Sequence, residues 1–202
     1  MFNILARQFE NPKGMLGKLA GKIMYSENRT INSWTVKKLD IKNKDRILEV
    51  GYGPGYCIKY IMNRCRCVYM DGADLSKDMA AAAEKRNKEW IDEGRVRLFT
   101  GDIHSIASNL DTYHKIISIN NYPLWTKPRE TLGMLYEKTE AGGEIAITVQ
   151  PREKYADSLI TKNLAKIIEA DLASAGYEEI QSSFKDVQPV LTVCVTAKKG
   201  RQ

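Results

Sequence analysis

With 202 residues, 43% hydrophobic and 28% charged, the chain is long enough for one domain with a full core and too apolar to be disordered. No apolar run approaches the ~18 residues of a membrane span, and MFNILARQFENPKG lacks the apolar core and cleavage site of a signal peptide, so a cytoplasmic protein is expected. The net charge of +6 is uneven: residues 1–48 hold ten Lys or Arg against four Asp or Glu, and the remainder is neutral.

Cys57, Cys65, Cys67 and Cys194 are the only cysteines, and His104 and His114 the only histidines. Cys65 and Cys67 are one residue apart, too close for a zinc knuckle, so buried or free thiols and no metal are expected. The basic N-terminal stretch is either a solvated helix face or a surface for acidic substrates, nucleic acid or an anionic membrane.

Two helices are expected between Gly14 and Leu39. Leu16, Leu19, Ala20, Ile23 and Met24 form one apolar stripe, and Asn28 or Thr30 opens a second helix carrying Ile31, Trp34, Thr35 and Leu39. Strands follow at Arg46–Val50, Cys67–Ala73, Val96–Thr100, His114–Ile119 and Glu144–Val149. Helices are expected at Tyr56–Asn63, Lys77–Glu93 and Arg129–Lys138, the last stopped before Gly142 and Gly143. A long helix over Tyr155–Ala175 closes at Gly176. Glu178–Asp186 and Val190–Ala197 then pair as an antiparallel hairpin. Strand–helix alternation predicts a doubly wound α/β domain over 43–202, with residues 1–42 as a helical arm that packs on the sheet or caps its crevice.

In such a sheet, ligands bind beyond the carboxyl ends of the strands. The first strand ends in Glu49 and then Gly51, Tyr52, Gly53 and Gly55, a turn that lets a ligand approach main chain. Asp74, followed by Leu75 and Ser76, ends the second strand 19 residues beyond Gly55, near the spacing at which a carboxylate meets ribose hydroxyls. Gly101, Asp102 and Ile103 end the third; Asp102 can accept from an adenine amino group and the Ile103 N–H can donate to a ring nitrogen. Asn120, Asn121, Tyr122 and Pro123 end the fourth. Alternatively, Asp74 caps the following helix, Asp102 is a turn residue, and the asparagines satisfy local backbone.

LEVGYGPG, ADLSKDM, TGDI and the Asn120 region resemble the ordered motifs of the class I S-adenosylmethionine-dependent methyltransferases. The likeness spans about residues 28–199. Within that family the chain looks most like small bacterial members related to quinone-biosynthesis C-methyltransferases, with QFENPKGMLGKLAG…NRTINSW resembling their entry segment. The resemblance implies a Rossmann-like seven-stranded sheet, mostly parallel, with an antiparallel last strand. It implies S-adenosyl-L-methionine as cofactor, and Glu49 either ordering the glycine turn or meeting the methionine amino group. It favours Asp74 over Asp71 for the ribose. Met79 packs on the adenine or in the helix core.

Asn120-Asn121-Tyr122-Pro123 departs from the NPPY-type box of amino methyltransferases, and no convincing general base is present. The expected activity is direct in-line transfer to a small-molecule acceptor, with Asn120, Tyr122 and Trp125 as substrate-positioning candidates and Tyr52, Tyr25 and Trp34 as further aromatic walls. His114, where many members have Asp, begins the fourth strand and need have no role in the reaction. The alternatives are a nucleic-acid or protein methyltransferase and a non-catalytic cofactor-binding regulator. Either a monomer or a homodimer fits.

Overall fold

The structure is a computed structural model describing residues 29–152 and 155–201. The stripe from Leu16 to Met24, Tyr25, and most of the expected arm lie outside the described residues. Residues 29–36 are helical. Seven strands follow: β1 (Arg46–Val50), β2 (Tyr69–Asp74), β3 (Val96–Thr100), β4 (Tyr113–Ile119), β5 (Thr139–Val149), β6 (Glu178–Lys185) and β7 (Thr192–Lys198). The connecting helices are α1 (Tyr56–Met62), α2 (Lys77–Asp92), α3 (Pro128–Glu137) and α4 (Ser158–Ser174).

One sheet has the order β3-β2-β1-β4-β5-β7-β6. β1 to β5 pair in parallel, and β7 runs antiparallel between β5 and β6. Because β6 therefore runs parallel to β5, the β6–β7 loop lies at the same carboxyl edge as the glycine turn. This is the Rossmann-like architecture expected from the strand–helix alternation and the terminal hairpin. Among the described residues no helix is long and apolar enough to cross a membrane.

The central strands read as near-continuous apolar runs because both faces are covered. Alternate residues serve alternate faces. Leu48, Ile116, Ile145, Ile147, Val193 and Val195 pack with α3 and α4 residues such as Leu132, Leu135 and Ile168. Ile47, Ile117, Ala146 and Cys194 pack with Ile58, Ile61, Ala83 and Trp90 of α1 and α2. Each such side chain contributes about 1.5–3 kcal/mol on burial, so removing one leaves a cavity in a core without slack.

Several boundaries differ from the sequence expectations. Arg29 and Thr30 are already helical, so Thr30 does not open that helix. α4 begins at Ser158 because the Asp157 side chain caps it, accepting from the Ile160 N–H at 2.9 Å. β5 starts at Thr139 rather than after the glycine pair. Gly142 and Gly143 lie within the strand, where pairing with β4 shifts register and both bond Lys199 of the chain end. β2 ends at Asp74, one residue later than its apolar run, because Asp74 still pairs with Thr100.

The residues before β1 are fastened to the α1/α2 face. Ile31 and Thr35 are fully buried, and the Thr35 and Thr148 hydroxyls are 2.6 Å apart. Trp34 packs against the same core, and Lys38 Nζ donates to Ser183 Oγ at 2.9 Å.

Candidate functional site

Parallel pairing brings the ends of β1 to β4 side by side. Val50 pairs with Ala73 and Ser118, and Asp74 pairs with Thr100. The glycine turn, Asp74, Gly101–Ile103 and Asn120 thus share one edge of the sheet, as their order in the sequence predicts.

Gly51, Gly53 and Gly55 have φ of 80°, 50° and 77°, the left-handed region that side-chain-bearing residues resist. Their surroundings differ. A Cβ on Gly51 would lie 2.3 Å from Asn121 Cγ, and one on Gly55 would lie 2.4 Å from Asn87 Nδ2. Around Gly53 nothing lies within 4 Å. The outer two glycines let protein pack against the turn; the middle one faces open space.

Four residues, Ala73, Asp74, Arg86 and Asn87, brace the turn. The Gly51 N–H donates to the Ala73 carbonyl at 2.7 Å. The Gly53 N–H donates to Asp74 Oδ2 at 2.7 Å, and the Ser76 N–H donates to Asp74 Oδ1 at 2.9 Å. Ser76, not Asp74, caps α2, accepting from the Met79 N–H. Each Asp74 oxygen keeps acceptor capacity beyond these bonds. Asn87, which departs from helical geometry inside α2, donates to the carbonyls of Gly55 (3.1 Å) and Ala83 (2.9 Å). Arg86 bonds the Pro54 carbonyl and stacks over Tyr56 at 3.7 Å. The sequence reading missed Arg86 and Asn87, whose partners lie 32 residues away.

Glu49 is a buried, poorly compensated acid. It is 3% exposed, and its Oε2 has no hydrogen-bond partner. Burial, and then the charge of Asp74, push its carboxyl well above the usual carboxylate range, against the lowering effect of the Ile58 N–H. A cation beside it would relieve both effects. An orphaned carboxylate oxygen, an open glycine main chain and a spare-valence aspartate are the features a cationic, hydroxyl-bearing nucleoside ligand requires.

The other candidates divide. Leu75 is 70% exposed at the end of β2, and Met79 is half-buried in the first turn of α2. Asp102 is exposed and accepts from the His104 N–H at 2.9 Å; Ile103 is partly buried against the core. Tyr52 points inward, 3% exposed, with its ring 2.6 Å from where a Gly72 Cβ would stand. It packs in the core at the floor of the turn. Tyr122 is likewise buried, and its hydroxyl donates to Asp171 Oδ2 at 2.6 Å, an oxygen pair also held by Arg129. Its hydroxyl is committed to α4. His114 is exposed at the amino end of β4, its Nδ1 accepting from the Arg46 N–H.

Asn120 has φ 53°, a strained conformation for a residue with a side chain, and its Oδ1 accepts from the Gln150 N–H at 2.8 Å. Gln150 Nε2 in turn donates to the carbonyls of Val187 (2.7 Å) and Val190 (2.9 Å), tying down the β6–β7 loop. Asn121 Oδ1 accepts from Trp125 Nε1 at 2.6 Å, and Trp125 packs on Tyr122 with centroids 5.2 Å apart. Leu124, 72% exposed, adds an apolar rim beside Trp125.

A switch-point crevice with these groups defines a nucleotide-cofactor enzyme of the doubly wound class. Residues 47–143 match the model of the Methyltransferase domain family. The chain is 41% identical over 181 residues to the "Uncharacterized methyltransferase YdaC" of Bacillus subtilis, covering 90% of this chain and 98% of that protein. Among solved structures it superposes on the S-adenosylmethionine-dependent methyltransferase SibL with a TM-score of 0.72 at 17% identity, covering 98% of this chain and 62% of the other. A Haemonchus contortus phosphoethanolamine N-methyltransferase 2, in complex with S-adenosyl-L-methionine, superposes with a TM-score of 0.66 at 15% identity, covering 85% and 53%. The chain belongs to the class I S-adenosylmethionine-dependent methyltransferases. It is a transferase whose cofactor is S-adenosylmethionine.

Proposed function

We propose that the protein transfers a methyl group to a small-molecule acceptor at the carboxyl edge of β1 to β4. The observation that carries the assignment of the site is Glu49, buried with an unpartnered Oε2 at the end of β1, directly before a glycine turn that is open at Gly53. When bound, the cofactor supplies a methyl group on a positively charged sulfur, already activated for transfer. Glu49 accepts from the methionine ammonium. The main chain at Gly53 admits the cofactor closely, and Gly51 and Gly55 shape the turn that presents it. Asp74, held by the Gly53 and Ser76 N–H groups, accepts from the ribose hydroxyls. Asp102 and the Ile103 N–H meet the adenine edge, while Leu75, Met79 and Gly101 line its faces.

On the acceptor side, Asn120 and Trp125 orient the substrate, and the Trp125–Leu124 rim excludes water. A weakly polar wall suits a reaction in which charge leaves the sulfonium. That apolar rim favours a small organic acceptor, and relation to the quinone-modifying C-methyltransferases is part of this reading. The arm before residue 43 acts as a cap, and the protein works in the cytoplasm as a monomer or homodimer.

Titration with S-adenosylhomocysteine tests the cofactor site. Asp74→Ala removes a charge-assisted acceptor of about 1.5–3 kcal/mol, which weakens binding roughly 10- to 100-fold. Undiminished affinity in that variant refutes the assignment of Asp74.

A further inference from the structure

A groove of about 230 Å³ runs between the helical residues 29–36 and α1. It is lined by Arg29, Asn32, Tyr56, Lys59, Tyr60 and Arg64, together with Asn63, and no carboxylate is among them. Arg29, Lys59 and Arg64 are exposed, and among the described residues no carboxylate pairs with any of the three. Arg64 is held in place: its guanidinium lies 3.8 Å from the centre of the Tyr60 ring and donates to the Tyr60 carbonyl at 3.3 Å. Asn32 adds an independent sign. It is 93% buried, its side chain lines the groove, and its amide makes no hydrogen bond among the described residues. That amide opens onto the groove with its donors uncommitted among the described residues, so a ligand's acceptors can meet it.

We propose that this groove binds the anionic group, a phosphate or carboxylate, of the methyl acceptor. The inference rests on reading the glycine turn as the cofactor site, because Tyr56 at the mouth of the groove directly follows Gly55. An acceptor anchored here by its charged end extends past Tyr56 toward the turn. Asn32 donates to one anion oxygen, and Lys59, Arg64 and Arg29 surround the others. The volume suits one anionic group with a few atoms, not a stretch of polymer.

The test is calorimetric titration of the full chain with inorganic phosphate and, separately, with S-adenosylhomocysteine. The double variant Lys59→Glu/Arg64→Glu changes only exposed side chains and keeps the fold. Wild type is expected to bind phosphate with or without saturating S-adenosylhomocysteine. The double variant is expected to lose at least about tenfold in phosphate affinity and none in S-adenosylhomocysteine affinity. Equal phosphate binding in both proteins, or none in wild type, overturns the proposal. Phosphate binding abolished by saturating S-adenosylhomocysteine also overturns it, since the groove then holds the cofactor's own carboxylate. Tight, steeply salt-dependent binding of a single-stranded oligonucleotide that the double variant loses overturns it in favour of nucleic acid. Absence of S-adenosylhomocysteine binding in wild type refutes the cofactor reading instead, and leaves the phosphate result to decide the anion site alone.

Discussion

Asn121 and Gly51 lie so close that a Cβ on Gly51 would be 2.3 Å from Asn121 Cγ and 2.6 Å from Asn121 Cβ. The end of β4 therefore rests on the first glycine of the turn. Trp125 holds Asn121 from the other side through a 2.6 Å hydrogen bond, so the side chain cannot simply step away. Gly51→Ala adds this clash to a left-handed φ of 80°. The expected cost is about 2–4 kcal/mol from backbone strain and overpacking, with a matching fall in S-adenosylhomocysteine affinity. Thermal unfolding and calorimetry check it; an unaltered melting temperature would mean that β4 yields freely.

Glu49 gives a pH prediction with a definite sign. Its carboxyl titrates near the ordinary value of about 4.3 in the unfolded chain and well above that range in the folded one. The folded state then holds a proton that the unfolded chain has released. Its contribution to stability is complete below the unfolded value and is lost as pH rises through the folded value. The ligand-free wild type should lose more stability than Glu49→Gln as pH climbs from mild acid toward neutral. S-adenosylhomocysteine, whose ammonium stabilises the carboxylate, should bind wild type more tightly as pH rises and release a proton on binding. Glu49→Gln should bind more weakly and without that proton release. Titration in buffers of different ionisation enthalpy measures the release; identical proton counts for the two proteins would remove Glu49 from the site.

Tyr122→Phe should behave as a structural change. It deprives Asp171 of a buried hydroxyl donor and leaves Arg129 as its one side-chain partner among the described residues. A loss of about 1–2 kcal/mol in stability is expected, with cofactor affinity unchanged. A normal melting temperature with impaired methyl transfer would return Tyr122 to the acceptor site.

Gln150→Ala removes the amide that joins Val187 and Val190 to the end of β5. Amide hydrogens of residues 187–191 should exchange faster, while those of β1 and β2 keep their protection. Uniform acceleration throughout the sheet would instead mean that the loop and core open as one unit.

The sheet was readable in the sequence because its signals are local. Ile47-Leu48 and Ile116-Ile117 are adjacent apolar pairs whose members face opposite cores, which only a strand covered on both sides requires. Glu49, the glycines, Asp74 and Asp102 stand out as candidates because each lies at or just past a strand end, and parallel strands align their ends. The supporting residues gave no such signal. Asn87 reads as an ordinary polar position within an Ala-rich helix, yet it reaches the Gly55 carbonyl across 32 residues. Gln150 is similarly silent until β7 returns beside β5. The inward direction of Tyr52 and Tyr122 had no signal either: an aromatic residue after a strand end can point to the crevice or to the core, and sequence position does not distinguish the two. The β5 start was missed because a glycine pair reads as a break, whereas register slippage absorbs it.

The helix over residues 29–36 is held against rolling, since Ile31 and Thr35 are wholly buried on one side, Thr35 bonds Thr148, and Lys38 just beyond the helix bonds Ser183. Arg29 and Asn32 are therefore presented from a fixed base. A ligand meeting them has little main chain to order, so most of the entropic penalty of forming that wall has already been met during folding. Substitutions at exposed positions on this helix can retune what is bound at its surface while the sheet beneath stays as it is.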